Sequence, residues 1–242
     1  MLFRQMRYFA AVVECNSFTE AAEQCYISQS AISQQIRALE YLRCYSGQEL
    51  HQAVAEFSQL YPEVSISIVN GTHEELYDLL RFGGVDVILS DQRRAFSSQY
   101  ENYQLLQCGC YAELSVRSHL SSQESVELES LKRLPCILIS SREQQNTEQD
   151  YFQNTLGFGG KFLFAENLEE GRLMVAGNRG FLPIESVGTL PPAGAAIRRL
   201  PIVRNGRQLQ RNYCVFWLKE QTNYYIEEFA AIFRKLLTQG ET

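Results

Sequence analysis

Two successive series of strand-like and helix-like runs constrain this chain more than any other feature. Val64 to Val69 alternates as V-S-I-S-I-V, the period of a strand, and Tyr61-Pro62 announces it. Ahead of it, Tyr41 to Tyr45 suits a short strand, and Gly47 to Leu60 has helical spacing at Leu50, Val54, Phe57 and Leu60. Thr72 to Phe82 is helical and Val85 to Leu89 is a short apolar strand. Strands and helices in alternation predict a mostly parallel sheet. A second series follows. Pro135 to Ser140 reads as strand, Asp150 to Leu156 as helix, Lys161 to Ala165 as strand and Asn167 to Ala176 as helix. Asn167 is a good cap, Glu169 and Glu170 suit a positive helix start, and Gly177 is a stop. Gly180 to Pro183 and Tyr213 to Leu218 give further strands, and Asn223 to Leu237 a last amphipathic helix. Two α/β units in tandem imply two lobes around a cleft.

The N-terminal part has a different character. Ser17 and Glu20 form a capping box in front of a helix with small Ala21 and Ala22. After a polar turn, Ser28 caps a second helical pattern. Ile32, Ile36 and Leu39 make one apolar face of it, and Ser30, Ser33, Gln34 and Arg37 share the opposite face. A short polar face rich in hydrogen bonders suits a helix that enters a DNA major groove. The plainer alternative is a helical hairpin with a solvated face.

Met1 to Glu40 resembles the start of a LysR-type transcriptional regulator. The residues that carry the likeness are an amphipathic helix (Leu2, Phe3, Met6, Phe9, Val13), N-S-F-T-E-A-A, and I-S-Q-S-A-I-S-Q-Q-I-R-A-L-E. The sensing half is also similar, through F-x-x-x-Y-P-E-V at Phe57 to Val64, G-G-V-D-V-I-L at Gly83 to Leu89, N-L-E-E-G-R-L-M-V-A at Asn167 to Ala176, and G-F-L-P at Gly180 to Pro183. The resemblance implies an α/β protein. It would have an N-terminal helix-turn-helix head and a two-lobed, periplasmic-binding-protein-like α/β sensing domain. Gln29 to Arg37 would be the recognition helix, with Gln29, Ser30, Ser33, Gln34 and Arg37 facing DNA and Arg4 adding charge. The expected division is a head over residues 1–41 and an effector-binding domain over 42–242. Lobe one would take about 42–112 and 221–242, lobe two about 113–220, with crossovers near Ala112 to Arg117 and Lys219 to Asn223.

One departure from the family stands out. The head and the sensing domain normally bracket a two-stranded wing, with an L-G-x-x-L-F-x-R signature, and a long dimerising linker helix. Here Leu39-Glu40 runs straight into Tyr41-Leu42-Arg43-Cys44. The chain reads as a member with an internal deletion, so its binding to double-stranded DNA is expected to be weak. The leading expectation is a DNA-binding regulator that responds to a small-molecule effector between the lobes. The alternative is an effector-binding or dimer-partner protein that has lost effective DNA binding. Either leaves room for a homo-oligomer or hetero-oligomer through the sensing domain.

The cleft is expected to be lined by strand ends and helix starts, which favour anions. That picks Ser46 with Gly47, Thr72 and Ser90 in one lobe, and Ser140, Ser141 and Phe181 with Pro183 in the other. Each serine or threonine also suits a plain capping role. Arg198, Arg199, Arg204, Arg207 and Arg211 form a basic stretch, expected as a solvated loop because no aromatic residues interleave with it.

Composition closes off other classes. The chain has 242 residues, 45% hydrophobic and 21% charged, as in an ordinary globular protein. No apolar run is long enough to cross a bilayer, and the N-terminal helix, with Arg4, Gln5 and Arg7, does not read as a signal peptide. A cytoplasmic protein without a membrane partner is expected. The formal charge of −6 confines any DNA affinity to local arginines. Seven cysteines at irregular spacing match no metal motif, and Cys108-x-Cys110 lies in a strand-like run. The three histidines are scattered, and no nucleophile elbow, P-loop or zincin motif occurs. The expectation is no catalysis, no metal and no cofactor.

Overall fold

The computed structural model describes residues 35–41, 47–70, 73–93 and 97–239. The first series becomes β1 (Gln35–Tyr41), α1 (Gln48–Leu60), β2 (Ser65–Asn70), α2 (His73–Arg81) and β3 (Val87–Asp91). A long strand, β4 (Tyr100–Ser115), leads into β5 (Val126–Glu127) and a short α3 (Leu128–Leu131). Then follow β6 (Cys136–Ile139), α4 (Gln145–Asp150), a π-helical turn over Tyr151–Thr155, β7 (Phe162–Ala165), α5 (Leu168–Ala176) and β8 (Leu182–Glu185). β9 (Ile197–Arg204), β10 (Arg207–Gln208), β11 (Gln210–Leu218) and α6 (Tyr224–Gln239) complete the chain.

Strand order in the main sheet is β10-β9-β4-β11-β3-β1-β2, with β8 and β5 attached to β4 and β9. The β1–β2 and β1–β3 pairs are parallel, as the alternation of strands and helices requires. β3 is buried along its whole length, so Val87-Ile88-Leu89 reads as a continuous apolar run rather than an alternation, and the buried polar pair Ser90-Asp91 closes it. In β11 the period of two is plain. Tyr213, Val215 and Trp217 enter the core under α1 and α6, where Phe57 meets Phe229 edge to face at 5.8 Å. Cys214 and Phe216 point to the opposite face, against Leu80 of α2. Burying each such large side chain contributes about 1.5–3 kcal/mol.

β6 does the same in the second lobe. Cys136 and Leu138 join one core and Ile137 and Ile139 the other, which α5 covers with Val175. The Asn167 side chain caps α5 by accepting from the Glu170 amide at 2.9 Å, and Gly177 follows its last turn. Gly180 is required by close approach, since a Cβ there would lie 2.3 Å from the Pro135 carbonyl oxygen.

β4 belongs to both lobes. Tyr100 to Gly109 pairs with β11, and Cys110 to Ser115 pairs with β8 and β9. Cys108 packs in the core of the first lobe and Cys110 in that of the second. The first crossover is therefore at Gly109–Cys110, a few residues before the expected Ala112 to Arg117. The return comes at Leu209–Gln210, ahead of β11, because β11 pairs with β3 and with the first half of β4. The expected return at Lys219 to Asn223 is corrected accordingly: 210–220 moves from lobe two to lobe one, and 110–112 moves from lobe one to lobe two.

The start of the sensing sheet also differs. Its first strand was expected at Tyr41 to Tyr45. The strand found is Gln35–Tyr41, six residues earlier. Arg37, expected on the recognition helix, stands in β1 in register with Ser67. β2 supplies a partner at Arg37, and β3 joins from Ala38 onward, so that tertiary pairing overrides local helix propensity.

Candidate functional site

The ends of β3, β8 and β11 meet the start of α4's last turn in a buried ionic cluster between the lobes. Asp91, at the C-terminal end of β3, accepts from the Ser90 hydroxyl at 3.2 Å and from Arg93 Nε at 3.1 Å. Arg93 then reaches across to the second lobe. Its Nη1 and Nη2 donate to both oxygens of Glu148 in α4, at 2.8 and 3.1 Å. Arg211, near the start of β11, pairs with Asp91 in its own lobe and with Glu185 at the end of β8 in the other. Its Nη2 also donates to the Tyr151 hydroxyl at 2.7 Å. Both guanidinium groups lie over the Tyr151 ring, Arg93 at 4.2 Å and Arg211 at 5.0 Å from its centre. Cations over an aromatic face gain from the ring quadrupole, more so when desolvated.

Three carboxylates face two guanidinium groups here. The desolvated Glu185 carboxyl is pushed up to about 7, with Arg93 opposing and Glu148 adding to the rise. Burial raises the Tyr151 hydroxyl too, so it stays protonated. A widened π-turn carries Tyr151, a distortion that is frequent at functional sites.

A second tie joins the lobes. Glu49, in the first turn of α1, accepts from the Thr189 amide at 2.7 Å. Gly188 makes this possible, because its φ is 54° and a Cβ would collide with the Glu49 carboxylate at 2.5 Å. Val187 beside it packs into the core of the first lobe.

The expected site residues fall unevenly around this cluster. Ser90 sits on Asp91, fully buried. Ser140 and Ser141 follow the end of β6, just before the 3₁₀ turn over Arg142–Gln144 that leads into α4. Ser140 donates to the Ser141 carbonyl at 3.0 Å and Ser141 to the Gln144 side chain at 3.1 Å. Phe181 is not a cleft wall. It is fully buried in the second lobe's core, stacked on Phe158 at 5.9 Å, because its backbone bridges to Cys136. Ser46 and Thr72 lie outside the described residues, as do Gln29, Ser30, Ser33, Gln34 and Arg4.

The basic stretch is no solvated loop. It forms β9, β10 and the start of β11. Arg199 donates to the fully buried Glu113 at 2.7 Å, where Arg172 of α5 makes a second, bidentate contact at 2.7 and 2.8 Å. The two arginines also donate to the Pro191 carbonyl.

Asp91, Arg93, Glu148, Tyr151, Glu185 and Arg211 were missed as site residues. The available signals were Asp91 closing a buried apolar strand and Arg211 within the basic stretch. Among the described residues no group of three or more His, Cys, Asp or Glu is set to hold a metal ion. Cys108, Cys110, Cys136 and Cys214 are buried free thiols, and burial raises the thiols of Cys110 and Cys136. No described helix is long and apolar enough to cross a membrane.

Comparison with known proteins follows the same division. Residues 3–42 match the bacterial regulatory helix-turn-helix protein family of lysR type, and residues 44–238 match the LysR substrate binding domain. A RuBisCO operon transcriptional regulator of Allochromatium vinosum is 54% identical over 37 residues, 15% of this chain. The match spans 12% of that relative's length. The PA01 protein of Pseudomonas aeruginosa, from the LysR family, aligns over 97% of this chain and 99% of its own, with a TM-score of 0.64 and 21% identity. HinK from the same organism aligns over 97% and 98%, with a TM-score of 0.66 and 22% identity. The regulatory domain of MetR from N. meningitidis covers 86% of this chain and 95% of its own, with a TM-score of 0.69 and 15% identity. At such identities these structures speak for the fold.

Proposed function

Starting from a chain that belongs to the LysR family of bacterial helix-turn-helix regulators, we propose that it senses a small polar or anionic molecule between its lobes and weakly binds double-stranded DNA. The observation that carries the sensing role is the cross-lobe pairing of Arg93 with Glu148 beside Asp91, Tyr151 and Arg211. A ligand with a carboxylate would compete with Glu148 for Arg93, since both present the same bidentate acceptor. Any such exchange changes what holds the lobes together, and that couples occupancy to their arrangement. Ser90, which donates to Asp91, is the expected polar residue that touches the cluster, and Ser140, Ser141, Ser46 and Thr72 are proposed as further contacts. On the DNA side, Gln29, Ser30, Ser33 and Gln34 form the proposed base-facing surface, with Arg4 as a phosphate contact.

The second reading is an effector-binding partner of full-length relatives. It is favoured by β1, which draws Gln35 to Tyr41 into the sheet. Thermal-shift screening against small organic acids, followed by mobility shifts at low salt, separates the two. A validated ligand is expected to lose its shift in Arg93→Ala. A shift unaltered in both Arg93→Ala and Ser90→Ala would move the site elsewhere.

A further inference from the structure

Seven residues have two claims on them. The family's helix-turn-helix match extends to residue 42, yet Gln35–Tyr41 is a strand of the sensing sheet. We propose that β1 and the end of the recognition helix are alternative folds of the same residues, so that DNA binding by the head and completion of the sheet exclude one another. The proposal rests on reading the head as a DNA-binding module.

Geometry makes the exclusion strict. Seven residues span roughly 10 Å as a helix, at about 1.5 Å per residue. As a strand they span roughly 23 Å, at about 3.3 Å per residue. β1 is also paired on both sides, along most of its length with β2 and over its second half with β3. Gln35 to Glu40 pair with Ser65 to Asn70, and Ala38 to Tyr41 pair with Val87 to Ser90. Winding those residues into a helix removes every one of these pairings. It leaves β2 without its strand partner in the order β3-β1-β2.

The sequence of β1 does not favour its place. An interior parallel strand is usually rich in Val, Ile and Leu, as β3 is with V-I-L. β1 reads Q-I-R-A-L-E-Y. Gln, Arg, Ala, Leu and Glu are among the better helix formers, and two of them carry charge. The spacing of Ile32, Ile36 and Leu39 continues a helix through this segment. Local preference and global pairing therefore disagree, which marks a segment poised between two states. In a family member with a linker, the sheet's first strand and the head draw on different residues. Here the head runs directly into the sheet, and one segment serves both.

The test is hydrogen exchange on the full chain at low salt, with and without excess non-specific duplex DNA. Without DNA, amides of residues 35–41 and 65–70 are expected to be protected together. Added DNA is expected to speed exchange in 65–70. Ala38→Val favours strand over helix, and is expected to weaken DNA binding several-fold and to raise protection of 65–70. Inserting a second copy of residues 35–41 after Tyr41 supplies both claimants. That variant is expected to bind DNA more tightly, with 65–70 no longer responding. A seven-residue Gly/Ser insertion at the same place is the control for tether length. If it relieves the antagonism equally well, or if 65–70 stays equally protected in the DNA-bound wild type, the proposal is overturned. Should neither the wild type nor the duplication bind duplex DNA, the DNA-binding reading fails and takes this proposal with it. If both bind alike, the regulator reading stands and the exclusion alone falls.

Discussion

Glu113 and Asp91 sit at the hearts of two similar ionic clusters with different consequences. Glu113 lies within the second lobe, fully buried, and takes hydrogen bonds from Arg172 and Arg199. All three groups belong to elements of one lobe, β4, α5 and β9. Asp91 likewise holds Arg93 and Arg211, but those arginines continue to Glu148 and Glu185 of the other lobe. The first cluster ties together elements of one folded body. The second can be rearranged by shifting two folded bodies. The chemistry is the same in both, and the connectivity decides whether it serves stability or movement.

The largest effect is expected from Glu113→Ala. It leaves two partly exposed arginines without their buried carboxylate. Removing one partner of a fully buried ion pair costs about 3–5 kcal/mol, and the partial exposure of both arginines sets the expectation at the low end of that range. Urea unfolding is the measurement. A loss below about 1 kcal/mol would place Glu113 with the adjustable cluster instead. The cross-lobe pair is expected to give less. A double-mutant cycle of Arg93→Ala and Glu148→Ala is expected to yield a coupling of about 1–2 kcal/mol. The two singles should leave the Glu113 cluster intact.

The pH response sharpens the comparison further. The folded Glu185 carboxyl lies near 7 against an ordinary 4.5, so the folded chain keeps a proton that the unfolded chain releases. Linkage then gives a stability contribution that is fully present below about 4.5 and declines as pH rises toward about 7. The slope is at most about 1.4 kcal/mol per pH unit. Above that range it is flat. Denaturation midpoints across this window are expected to decline less steeply in Glu185→Gln. Equal slopes in both proteins would mean that Glu185 does not carry the pH response. The smallest effect is outside both clusters. Asn167→Ala removes a helix cap and is expected to cost about 1 kcal/mol, without altering ligand response.

Much of the frame was legible along the chain. α5 announced itself through Asn167, Glu169, Glu170 and Gly177, and the strand at Ser65–Asn70 through its alternation. Such signals are local. β4 was harder, because Glu101, Gln104 and Gln107 break its apolar pattern and it serves two lobes in turn. β1 was hidden, since helix formers fill a strand position that only its neighbours define. Ser90 and the basic stretch pointed to the edge of the cross-lobe cluster, but its pairing of Arg93 with Glu148 was not legible. Arg93 and Glu148 are 55 residues apart, and nothing local distinguishes them from solvated charges. Phe181 was misread for the opposite reason, as a strand start at a cleft when its neighbours bury it completely.

We read the Asp91–Arg93–Glu148–Arg211 cluster as a joint between two separately packed lobes. Hydrogen exchange of the full chain carrying Arg93→Ala tests it most directly. Faster exchange is predicted for residues 91–93, 145–155 and 210–212, with the amides of β6, β9 and α6 unchanged. A rise spread evenly through β6, β9 and α6 would contradict the claim, because the cluster would then be part of a single common core.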